Sequence, residues 1–136
     1  MFQLHDQLKA DTSLVAENAD CLLLLANDAR YPWLILVPKV ENATEIYQLS
    51  DEVQMAFSRI SGVLGRELMA LFGGDKLNVA ALGNQVPQLH VHHIVRYKTD
   101  EAWPNPIWGY GEPEPYEALA LEKRLRQLQS ELSFCR

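Results

Sequence analysis

Gln88-Leu89-His90-Val91-His92-His93-Ile94-Val95-Arg96 is the stretch on which the reading of this chain turns. It reads as a strand over Gln88–Arg96. Alternate side chains of a strand share a face. Gln88, His90, His92 and Ile94 therefore point one way, while Leu89, Val91, His93 and Val95 point the other, toward the core. A half-buried strand needs only ordinary polar residues on its wet face. Two imidazoles and an amide in a row make a polar ridge instead. Imidazole is a nucleophile or a metal ligand when neutral, and donates to anions or leaving groups when charged.

Just upstream, Gly83-Asn84-Gln85-Val86-Pro87 is a loop that can bring backbone amides and the Gln85 side chain toward an anion. Before it, Lys76–Leu82 reads as a strand. A long helix precedes that strand. Ser50 is its N-cap, Asp51 and Glu52 sit at the positive end of its dipole, and Gly73-Gly74 ends it. Val53, Phe57, Ile60, Leu64, Leu68 and Leu71 form one apolar stripe, and Gly62 and Gly65 leave room for close packing on a sheet. Further upstream, Ser13–Glu17, Cys21–Ala26 and Trp33–Val37 read as short strands bounded by turn residues. Downstream, WPNPIWGYGEPEP is irregular. Pro115 then suits the first turn of a last helix, which carries Leu121, Leu125, Leu128 and Leu132 as its apolar stripe with Glu122, Lys123, Arg124 and Arg126 outward. About five strands, one long helix and a C-terminal helix imply an α+β domain with an antiparallel sheet.

The chain has 136 residues, the size of one domain. Hydrophobic residues make up 48% and charged residues 22%, which excludes wholesale disorder. Twelve Lys and Arg stand against 18 Asp and Glu, for a net charge of −6. That balance argues against coating a nucleic acid polymer, which needs a positive field to displace counterions. A small nucleotide remains possible, because local groups can outweigh the mean field. Cys21 and Cys135 show neither metal-ligand spacing nor a disulfide framework, as expected of a reducing compartment. Neither a signal peptide nor a membrane span is legible, so no membrane association and a cytoplasmic location are expected.

With these residues in hand, the sequence resembles the histidine triad (HIT) family. Its motif is His-φ-His-φ-His-φ-φ, with φ apolar, after a glycine-containing phosphate loop; the corresponding text here is Gln88-Leu89-His90-Val91-His92-His93-Ile94. Trp33-Leu34-Ile35-Leu36-Val37-Pro38-Lys39 resembles the family's strand ending in Val-Ile-Pro-Lys. The similarity covers about residues 13 to 97, within one HIT-like domain over 1–136 whose last part, 98–136, is the irregular segment and the C-terminal helix. It implies a hydrolase or transferase acting at the α-phosphate of a nucleotide conjugate, a phosphoramidate or a dinucleoside polyphosphate. By resemblance, His90 attacks phosphorus to give a covalent nucleotidyl-histidine. His92 contacts phosphate oxygens and helps the leaving group. Gly83, Asn84, Gln85 and Gln88 belong to the nucleotide site, and Asn27 or Asp28 contacts the ribose. The resemblance further implies a purine nucleotide or its conjugate as ligand, a homodimer, and no cofactor or metal.

Three residues depart from the family pattern. Gln88 replaces the first histidine, Trp33 replaces a further histidine of many members, and His93 replaces an apolar residue. The first change keeps the backbone carbonyl that orients the nucleophile. Losing one charge-assisted hydrogen bond there costs ~1.5–3 kcal/mol, or roughly one to two decades of rate. A nucleotide-binding module with little turnover is thus the alternative to an enzyme. From spacing alone, His90 and His92 are equally compatible with two strand histidines of no function; a zinc site lacks a third local ligand. His93 is expected to be a core-side histidine hydrogen-bonded to a neighbour, or to lie at a subunit contact. Arg96 is expected at a solvated strand end, or else reaching a phosphate. Trp33, Trp103 and Trp108 are expected to be packing or interface residues, with one of them available to line a base pocket.

Overall fold

Two apolar runs at the centre of the chain set the sheet. Cys21–Ala26 (β2) and Trp33–Pro38 (β3) pair antiparallel, with Leu24 opposite Ile35 and Leu23 opposite Leu36. Every residue of β2 is buried, so its leucines divide between the two faces. Each contributes about 1.5–3 kcal/mol by leaving water. The computed structural model describes all residues, Met1–Arg136. Thr12–Glu17 (β1) adds to β2, with a bulge between Leu14 and Ala16. Val91–Arg96 (β5) pairs with β3, and Lys76–Ala80 (β4) closes the order β1-β2-β3-β5-β4, antiparallel throughout.

The two faces are covered differently. On one, Leu23, Leu25, Leu34, Leu36, Val91 and Val95 pack beneath the helices Asp51–Phe72 (α2) and Ala118–Glu131 (α3). Leu128 and Leu132 are fully buried there. The Ser50 hydroxyl accepts from the Val53 amide at 3.2 Å, and Gly73 ends α2 at φ 60°, as the sequence predicts. Gly65 lets α2 approach the sheet, because a Cβ there would come within 2.6 Å of Leu77; Gly62 faces open space and makes no such contact. On the other face, Leu22, Leu24, Ala26, Ile35 and Val37 meet Phe2 and Leu4 of an N-terminal arm. Ile94 and Tyr31 meet Ala102 and Ile107 of the irregular segment. Between these two covers the face stays open.

Four boundaries differ from the sequence reading, each for a local reason. A short helix, Asp6–Asp11 (α1), follows the arm, its first turn capped by His5 Nδ1, which accepts from the Gln7 amide; six residues are too few for a periodicity. β5 starts at Val91, not Gln88. The Leu89 amide donates to Ala43 beyond β3, and the Gln88 carbonyl is taken by the His90 ring, so neither joins the ladder. β4 stops at Ala80, opposite His92, and the chain to Leu82 leaves the sheet. Pro115 precedes α3 rather than opening it. Glu114 bonds to Ala29 and the Tyr116 amide to Asn27, so the chain is held extended there, as a residue before proline also prefers.

Candidate active site

The end of β4, the approach to β5 and β3 place His90 and His92 side by side. Their ring centroids are 5.1 Å apart, and both rings open on one cleft of about 690 Å³, a size suited to a small-molecule ligand. β3 and β5 form its floor. α1, the loop after β4 and the stretch Trp108–Pro115 form its walls.

His90 sits one residue before β5, where the backbone is free to curl. Its Nδ1 lies 2.6 Å from the Gln88 carbonyl oxygen. A carbonyl only accepts, so Nδ1 carries the proton and Nε2 keeps a lone pair. His92 Nδ1 is 2.9 Å from the indole nitrogen of Trp33. Trp108 stands edge-on to the His92 ring at 5.1 Å and to Trp33 at 6.2 Å. Burial, then the neighbouring His90 and His93, push the His92 imidazole down to about 4.

Asn84 and Gln85 line the same cleft. The amides of Asn84, Gln85 and Val86 donate to nothing within the chain. Asn27 and Asp28 also line it, at the end of β2, but both hold the irregular segment in place. Asn27 Oδ1 accepts from the Tyr116 amide at 2.9 Å. Asp28 is buried and pairs with Arg30 at 2.8 Å. Burial alone would raise its carboxyl, but hydrogen bonds from Arg30 and from the Glu114 amide outweigh that and hold it below the usual carboxylate value.

Other residues lie elsewhere than expected. Gly83 does not line the cleft, and the Gln88 side chain turns away from it. Its amide accepts from the His5 N–H at 2.8 Å and donates to the Gln3 carbonyl at 2.8 Å, so it clasps the N-terminal arm. Arg96 is neither a solvated strand end nor free for phosphate. It is 1% exposed and pairs with Asp100 at 2.8 Å and Asn78 at 2.8 Å. The turn after β5 causes this: Asp100 accepts from the Tyr97 and Trp103 amides, which brings its carboxylate over the guanidinium. Arg124 is not fully outward either; its guanidinium lies 4.6 Å from the Phe72 ring. His93 is a core histidine, bonded to Ser61 Oγ at 2.7 Å and to the Val91 carbonyl at 3.1 Å. No group of three His, Cys, Asp or Glu side chains is arranged to hold a metal ion.

Sequence reasoning passed over α1 and undervalued Trp33. Leu8 and Thr12 reach the cleft from the end and continuation of α1. The signal for Trp33 was its place before the Pro-Lys strand end, but which ring it meets depends on the β3–β5 register.

Comparison with known proteins places this geometry in context. The HIT domain profile matches residues 7–99. A histidine triad protein from Marinobacter aquaeolei is 50% identical over 100% of this chain and 99% of its own, with a TM-score of 0.95. One from Bradyrhizobium japonicum is 41% identical over 96% of this chain and 98% of its own, with a TM-score of 0.88. One from Sinorhizobium meliloti is 34% identical over 96% and 97%, with a TM-score of 0.92. No curated protein matches the chain.

Proposed function

Since the chain belongs to the HIT family of nucleotide-binding hydrolases and transferases, we propose that it cleaves a nucleotide conjugate at the α-phosphorus through a nucleotidyl-histidine at His90. The observation that carries this reading is the bond from His90 Nδ1 to the Gln88 carbonyl, which leaves the lone pair on Nε2 of a histidine that lines the cleft. The Gln88 side chain plays no part in that bond, so the departure at the first motif position leaves the nucleophile oriented.

The proposed chemistry follows. His90 Nε2 attacks phosphorus and an N–P bond forms as the bond to the leaving group breaks. The leaving group departs with the bonding pair and takes its proton from water, or already carries it as a protonated phosphoramidate nitrogen. Water then attacks phosphorus, the N–P bond breaks, and a nucleoside monophosphate and His90 are released. His92 donates to a phosphoryl oxygen, and Gln85, Asn84 and the free loop amides supply further donors. Asn27 is the candidate ribose contact, since its amide nitrogen is not used within the chain; Asp28 acts by holding the wall.

The cleft lining holds no lysine or arginine and two carboxylates, Asp11 and Asp28. That favours a phosphoramidate, with one charge at its phosphorus, over a dinucleoside polyphosphate with a long anionic tail. A purine nucleoside fits the apolar arm formed by Leu8, Ala26 and Ile35. Residues 98–136 act in this reading as part of the same unit, because Trp108–Pro115 wall the cleft and Leu128 and Leu132 join the core. A homodimer is proposed as well, with the unpaired edge of β4 as the face to which a second sheet can add.

Turnover of adenosine 5′-phosphoramidate tests the assignment. His90→Ala should lower kcat by roughly a thousandfold or more, and rapid quenching of the unaltered protein should trap a nucleotidyl adduct that the variant lacks. Undiminished turnover in the variant refutes the nucleophile. Tight AMP binding by calorimetry with neither adduct nor product would make the protein a nucleotide-binding module instead.

A further inference from the structure

Trp33 has no assigned role in the scheme above, yet its indole N–H meets the ring of the second cleft histidine. We propose that Trp33 is a positioning residue that fixes His92 as the Nε2–H tautomer, so that His92 serves as a neutral hydrogen-bond donor and not as an acid. The role of His92 rests on the proposed function; its tautomer does not.

The geometry carries the tautomer. An indole nitrogen can only donate. It lies 2.9 Å from His92 Nδ1, so Nδ1 must accept and the proton of the neutral ring must sit on Nε2. Protonating Nδ1 would set two N–H groups against each other at that distance. Trp33 is itself held: it is half-buried, its strand neighbours pair with β5, and Trp108 stands edge-on against it and His92 alike. The indole therefore cannot turn away at little cost. The opposite arrangement holds at His90, where a carbonyl acceptor at 2.6 Å puts the proton on Nδ1. Adjacent rings thus offer the cleft one lone pair and one N–H, the pairing that in-line attack on a phosphoryl group calls for.

The surroundings favour the neutral state. From the motif strand and its approach, His90 faces the ring while His93 lies behind it on the helix side of β5, and neither offers a negative charge. β3 contributes Trp33 and Ile35, neither of which titrates. The stretch Trp108–Pro115 contributes no titratable group to the lining. Past the end of β2, Asp28 is neutralised by Arg30, which leaves the Asp11 carboxylate of α1 as the one unpaired charge on the cleft wall. Burial first, then the neighbouring His90 and His93, depress the ring to about 4. A neutral Nε2–H cannot give up its proton without forming an imidazolate. The leaving group must therefore take its proton from water or bring it along, as a protonated phosphoramidate nitrogen does.

Long-range 1H–15N spectra of the labelled protein read tautomer and titration directly. In the unaltered protein His92 should be Nε2–H only and remain neutral down to pH 5. In Trp33→Phe both tautomers should appear, and the midpoint of His92 should rise by about one pH unit, since Nδ1 regains freedom to bind a proton. The kcat profile of that variant should gain an inflection at the shifted midpoint. An Nδ1–H ring in the unaltered protein overturns the proposal, as does a Trp33→Phe variant with unchanged tautomer and midpoint. The first spectrum alone decides if the variant does not fold. If His90→Ala retains turnover while His92 is Nε2–H, the proposed function fails and the tautomer assignment stands.

Discussion

His92 and His93 are neighbours on one strand, both are nearly sealed from solvent, and both imidazoles are depressed to about 4, yet they face opposite surroundings. His92 looks into the cleft and accepts a hydrogen bond from the Trp33 indole N–H. His93 looks toward α2, donates its Nδ1–H to the Val91 carbonyl and accepts from Ser61. The contrast separates two effects that are easily merged. Burial sets how readily a ring takes a second proton. The partner at one nitrogen sets which nitrogen bears the first. Only on the cleft side does that choice reach a ligand.

The largest effect that tests this contrast is on stability against pH. Both folded values lie below the ordinary value of 6.5. Below 6.5 the unfolded chain takes up protons that the folded chain refuses, so stability is complete above 6.5, falls toward pH 4, and then levels off for these groups. The loss is on the order of 3 kcal/mol for each ring. Asp28 and Asp100, held below the usual carboxylate value once their arginine and amide hydrogen bonds outweigh burial, lend their full stability above that value and lose it only as pH falls below it. Denaturant midpoints between pH 7 and 4 measure the loss. A flat profile would break the claim that burial depresses both rings.

Next in size is Ser61→Ala, which strands the buried Nε2 of His93 without a donor. It should cost about 1–3 kcal/mol and leave kcat and KM unchanged, whereas the Trp33 substitution acts on the cleft. A fall in turnover in Ser61→Ala would mean that the helix face of β5 communicates with the cleft face. The smallest effect is expected from Gln88→His, which restores the family's first histidine. It breaks the clasp on Gln3 and His5, each bond worth about 0.5–1.5 kcal/mol, so amide exchange in residues 1–5 should quicken. Turnover should hold within about twofold, because the carbonyl at position 88 survives. A large gain in rate would return that side chain to the cleft.

Much of the molecule was legible in one dimension. Alternation assigned His92 and His93 to opposite faces, the spacing of Phe57, Leu64 and Leu68 gave α2 its buried stripe, and Ser50 and Gly73 marked its ends. Such features are local, because a strand alternates and a helix recurs whatever packs against it. Arg96 shows where that reasoning stops. Its partner Asp100 is four residues away, but only a turn folded back over β5 makes the two meet. Gln88 shows it again: its side chain is spoken for by an arm more than eighty residues upstream.

The order of residues sufficed for the strands, the long helix and the histidine pair, and resemblance to the HIT family implied the carbonyl that orients His90. Each of these depends on residues within a few positions of one another. Tertiary structure alone decided that Trp33 faces His92, that Asn27 and Asp28 fasten a cleft wall, and that Gln88 turns away. Those pairings depend on the β3–β5 register and on where two chain ends come to rest, and local periodicity carries neither.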